Sequence, residues 1–129
     1  MTTNILSLLK EETAPYHVEI ENNQYARSLI EGSLSWSGYM AYLQKFYGYY
    51  VPLENIYSGR SEWQELKFDY SNRIKSSLLK QDLLQLQVTA DQIDRIRLCD
   101  NLPKLSTFSH ILGSLYVLEG STLGGQMVV

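Results

Sequence analysis

The chain carries a single cysteine, Cys99, in 129 residues. One thiol excludes an internal disulfide and fits a reducing compartment. No apolar run approaches the ~20 residues needed to cross a bilayer. No basic segment followed by an apolar one opens the chain, so it reads as cytoplasmic, with no membrane partner. A basic excess is missing too: 11 Lys and Arg face 14 Asp and Glu, for a net charge of -3. That balance argues against a nucleic-acid partner. Repeats, low-complexity tracts and domain-splitting linkers are absent, which leaves one domain over residues 1–129. No stretch alternates with period two for long enough to make a strand. Phenylalanine is scarce, three against ten tyrosines. Tyrosine suits walls that are apolar yet must offer hydroxyls.

What is present is helical periodicity. Asn4 or Thr3 can cap a first helix with Ile5, Leu8 and Leu9 on one face. Pro15 interrupts that run and fits the first turn of a second helical piece, with Thr13 or Ala14 as its cap. His17 then sits one turn inside a fresh helix. Residues 31–37 form a turn, after which Ser35 caps the clearest helix of the chain. Its apolar face runs Trp36, Tyr39, Met40, Leu43, Phe46, Tyr47, Tyr50 and Leu53, with a bend expected at Pro52. Ser58–Ser61 is a break. One or two helices follow over 68–88, with Leu78, Leu79, Leu83 and Leu86 inward. Thr89 can cap a short turn leading to Cys99, and Asn101–Pro103 is a loop. A final helix spans 105–119, with Leu105, Phe108, Leu112 and Leu115 on one face. Lys75, Lys80, Arg95 and Arg97 read as a solvated face, and His110 as an ordinary helix residue.

The last dozen residues stand apart. An apolar helical run, Leu115-Tyr-Val-Leu-Glu, flows into Gly120, Gly124 and Gly125. Each glycine costs a helix interior about 1 kcal/mol relative to alanine. A large flat group approaching the backbone, where a Cβ would collide, justifies that cost. Gly120 and Gly124, four apart, share one helix face. A glycine-opened helix on one side and His17 on the other make a slot for a planar metal macrocycle. Taken singly, His17 is also an ordinary structural residue, and the glycines also fit a close helix–helix crossing.

Two stretches carry a family resemblance. Leu9-Lys-Glu-Glu-Thr-Ala-Pro-Tyr-His17-Val-Glu-Ile-Glu21 resembles the proximal helix of haem oxygenases. Tyr116-Val-Leu-Glu-Gly-Ser-Thr-Leu-Gly-Gly-Gln126 resembles their distal helix. The variant is most similar to the bacterial type found with bacteriophytochromes. The middle also aligns, through residues 30–50 and 73–83.

The resemblance implies an all-α, haem-oxygenase-like multi-helical bundle lacking the last helices of the family fold. It implies oxidative opening of haem to biliverdin, carbon monoxide and free iron, using dioxygen. Electrons would come from a ferredoxin or reductase. His17 would be the proximal iron ligand, with Glu21 the candidate acceptor for its second ring nitrogen. Lys10 matches a position that reaches a haem propionate. Gly120 and Gly124, with Gly125 beside them, would let the distal backbone lie close over the ring. Ser121 stands where the animal enzymes have aspartate, and serine can still hold a water for proton delivery. Tyr47 and Tyr50 are candidates for lining the haem edge. Two other readings remain: a haem-binding or sensing module without turnover, and a thiaminase-like helical protein, which Cys99 in a polar loop fits poorly. A chain lacking those later helices is expected to self-associate or to be marginally folded, a homodimer covering Leu115, Leu118 and Leu123.

Overall fold

The computed structural model describes residues 4–125. Among these, every regular element is helical. The order is α1 (Ile5–Glu21), α2 (Gln24–Glu31), α3 (Trp36–Ser58), α4 (Glu62–Glu65), a 3₁₀ turn (Tyr70–Arg73), α5 (Ser76–Gln85), α6 (Ala90–Asp94) and α7 (Phe108–Gly125). Helix α3 is the spine. It packs against α5 and α2, and α1 is joined to the body through α2.

Capping explains most of the boundaries. The side chains of Asn4, Asn23 and Ser35 accept amides of the first turns of α1, α2 and α3. Thr89 and Gln92 close a reciprocal capping box on α6. Gly32 ends α2 in the left-handed region at φ 73°, where a side chain would be strained.

The expected break at Pro15 does not occur. Helix α1 runs straight through it, and the chain turns instead at Asn22 and Asn23. Two features make this tolerable. The helix is exposed along its whole length, so water can serve the Glu11 carbonyl that Pro15 leaves without a donor. The Thr13 hydroxyl donates to the Leu9 carbonyl at 2.7 Å, giving that turn a bond of its own. His17 therefore lies in the second half of a 17-residue helix, not near a fresh start.

The core has two parts. One gathers Leu43, Leu83, Val88 and Ile93, where α3, α5 and α6 meet. The other is aromatic: Leu53, Tyr57, Trp63, Tyr70 and Ile111, with Phe108, Leu115 and Leu118 packed on it. The expected faces hold with local shifts. Trp36 is 72% exposed because it opens α3 beyond the packed region. Leu78 is exposed while Leu83 is fully buried. On α7, Ile111 takes the buried place expected of Leu112, since the helix starts at Phe108 and its inward face runs 108, 111, 115, 118. Leu115 and Leu118, expected to need cover from a second copy, lie on this aromatic core. Among the described side chains of α7, Leu112, Tyr116 and Val117 are the exposed large apolar ones. The side chains of Ser121 and Leu123 lie outside the described residues.

Candidate functional site

Helix α1 buries no side chain. Its apolar residues Ile5, Leu6, Val18 and Ile20 are all more than half exposed, an apolar surface that no intramolecular packing consumes. His17 belongs to this helix. Its Nδ1 lies 3.2 Å from Oε1 of Glu21, one turn on, with both side chains largely exposed. The other ring nitrogen, Nε2, has no partner among the described residues. An imidazole held this way presents one nitrogen to an acceptor and the other outward, the arrangement a metal-ligating histidine requires. Lys10 precedes His17 by seven residues, so it shares that face about 10 Å away along the axis. Among the described residues, no group of three or more His, Cys, Asp or Glu side chains is placed to hold a metal ion.

Helix α7 starts beside the aromatic core, with Thr107 accepting the amide of His110 at 3.2 Å. It then carries Gly120, Ser121, Gly124 and Gly125 within regular helix, six residues further than the expected end at 119. A Cβ built at Gly120 meets nothing within 4 Å, and the same holds at Gly113, one heptad earlier. A close helix crossing would put neighbouring atoms there. The space beside Gly113 and Gly120 is instead clear of protein among the described residues. Gly113 went unremarked in the sequence, though a spacing of seven from Gly120 was the available signal.

Two polar contacts of this helix bear on its placement. The hydroxyls of Tyr57 and Ser114 share a hydrogen bond. Arg73 Nη1 stands 3.9 Å from Glu119 Oε2, beside Gly120. Beneath α7, a water-sized cavity is lined by Tyr50, Glu54, Tyr57, Tyr70, Leu115 and Leu118, among others. Burial pushes the Tyr70 phenol well above its ordinary range, and the nearby Glu54 carboxylate adds to this. Burial raises Tyr57 as well, partly offset by its bond to Ser114.

His17 and Glu21 are thus brought together. Among the described residues the most closely packed helix pairs are α3 with α5, α1 with α2, α2 with α3 and α5 with α6. Tyr47 and Tyr50, candidates for a haem edge, serve the core: Tyr50 is buried and Tyr47 packs with Leu43 and Leu83. A groove of α1, α2 and α3 is lined by Tyr16, Ile20, Tyr25, Tyr42 and Phe46, and His17 does not take part in it.

A family model described as heme oxygenase matches residues 3–129. The chain belongs to the haem oxygenase family. No curated protein and no solved structure matches it. Family membership agrees with the all-helical architecture. No helix among the described residues is long and apolar enough to cross a membrane.

Proposed function

We propose that this haem oxygenase family member binds haem and opens it oxidatively, releasing biliverdin, carbon monoxide and iron. The observation that carries the reading is the His17–Glu21 pair at 3.2 Å. A carboxylate at Nδ1 selects the tautomer with the proton on that nitrogen and leaves Nε2 as a lone-pair donor to iron. Lys10, on the same face of α1, would pair with a propionate. The exposed apolar residues of α1 suit contact with the macrocycle, whose faces are apolar. On the other side, Gly120 and Gly124 leave backbone without side chains, so α7 can lie close over the ring.

Haem, when bound, supplies both the ring to be cleaved and the iron at which dioxygen is reduced. The chain's own contribution is steric and protic. The distal backbone at Gly120 and Gly124 would leave open space over only one edge of the ring. Ser121 would hold a water from which protons are delivered. Electrons would come from an external ferredoxin or reductase. This reading also includes the bacterial, bacteriophytochrome-associated type and action in the cytoplasm.

The test is a single-turnover reaction. The haem-loaded chain is reduced with ascorbate or a ferredoxin system in air and followed by absorbance and carbon monoxide release. Loss of the Soret band, with biliverdin absorbance and one carbon monoxide per haem, is the expected result. A stable haem complex that yields neither product would support a binding or sensing module instead.

A further inference from the structure

We propose that Lys45, Arg95 and Arg97 form a further binding site, one that takes a small organic phosphate. It shares no residue with the proposed haem site and does not depend on it. The three cations line an open hollow of about 730 Å³ between α3 and the segment that follows α6. That volume lies within the range of small-molecule sites. Among the described residues none of the three makes an ion pair, whereas Arg60 and Arg73 each face a glutamate. The lining holds one carboxylate, Asp100, so the hollow keeps a positive excess in a chain of net charge -3.

The wall that carries the arginines is fixed on α3. The Arg97 carbonyl oxygen lies 2.5 Å from where a Cβ on Gly48 would be, an approach that only glycine allows. Cys99 donates its amide to the Gly48 carbonyl at 2.8 Å. Ile96, between the two arginines, packs on the core of Leu43, Leu83, Val88 and Ile93. Binding therefore has side chains to order rather than backbone, which lowers its entropic cost. The cations select the ligand. A phosphate group brings about two negative charges and three acceptor oxygens, enough to engage two guanidiniums and an ammonium together. A carboxylate has two oxygens and one charge, and matches a single guanidinium fork. Tyr49, Ile96 and Leu98 line the same hollow with ring and aliphatic surface. That surface suits an organic body on the phosphate, and the tyrosine ring suits a planar one.

The experiment titrates the full chain with ATP, with pyrophosphate and with hexaglutamate, followed by calorimetry and by amide NMR shifts. ATP should bind saturably, one per chain, and move the amides of Ile96, Leu98 and Cys99. Pyrophosphate, which carries charge without an organic body, should move the same amides and bind more weakly. Arg95→Gln and Arg97→Gln should each weaken ATP about tenfold, as loss of a charge-assisted hydrogen bond requires. Replacing all three cations with glutamine should abolish binding. The three positions are exposed, so the variants should melt as the wild type does. Lys80→Gln, at an exposed position of α5 outside the hollow, should bind ATP normally. Absence of saturable ATP binding, an equal loss in Lys80→Gln, tighter binding of pyrophosphate than of ATP, or shifts confined to residues outside 44–49 and 92–100 would each overturn the proposal. Hexaglutamate moving these amides where ATP does not would also overturn it, and would make the hollow a surface for an acidic protein.

Discussion

Glu54 on α3 caps α5 from outside: its Oε1 accepts the backbone amides of Lys75 at 2.6 Å and Ser76 at 3.2 Å. Helix α5 has no side-chain cap of its own. A buried carboxylate on the spine helix supplies one, and the positive end of α5 favours its charge. This contact adds a polar tie to the apolar packing of α3 on α5.

Glu54→Ala should therefore cost about 2–4 kcal/mol, since it orphans two amides and removes a charge-assisted acceptor. Glu54→Gln, which keeps one acceptor oxygen, should lose roughly half of that. Urea melts of the three proteins would read the difference. Equal stability in all three would mean that water replaces the cap.

Gly48 should not tolerate a side chain. A Cβ there would sit 2.5 Å from the Arg97 carbonyl oxygen, while Cys99 donates its amide to the Gly48 carbonyl at 2.8 Å. The 96–99 segment thus lies directly on α3. Gly48→Ala should destabilise by about 1–3 kcal/mol through forced backbone movement, despite alanine's better helix propensity. A raised melting temperature would show that the segment yields freely.

Alkali should unfold the protein in a tyrosine-dependent manner. Burial raises the phenols of Tyr42, Tyr49, Tyr57 and Tyr70 above the ordinary 10.0. A folded pKa above the unfolded one favours the neutral folded form. Its contribution is complete below pH 10 and is lost as pH climbs from there through the folded values. Absorbance titration should show these phenols ionising late, together with unfolding, and Tyr70→Phe should shift the alkaline midpoint upward. Ten independent ionisations near pH 10 with no loss of helix would contradict the burial.

Gly120→Leu tests steric clearance on α7. The apo protein should melt at or above the wild-type temperature, because nothing lies within 4 Å of the new Cβ and leucine favours helix. Haem affinity should nonetheless fall at least tenfold. Normal affinity with normal turnover would remove Gly120 from the site.

Much of this fold is written in local sequence. The face of α3 from Tyr39 to Leu53 follows the helical period, and the caps at Asn4, Ser35 and Thr89 are visible residue by residue. Pro15 misleads because its cost depends on exposure, which periodicity does not report. Glu54 and Gly48 were invisible because their partners, Lys75 and Arg97, are remote in sequence. In the proposed site, His17 and Glu21 are legible through the i, i+4 rule, and Gly120 with Gly124 through shared helix face. The tie between Tyr57 and Ser114 spans 57 positions and needed the fold.

Ligation of haem by His17 is tested most directly by haem titration of the full chain. The wild type should bind one haem with a sharp Soret band. His17→Ala should keep its helix content, bind haem at least tenfold more weakly, lose turnover, and recover an imidazole-ligated spectrum when free imidazole is added. A variant that binds haem with the wild-type spectrum and still makes biliverdin would contradict the assignment.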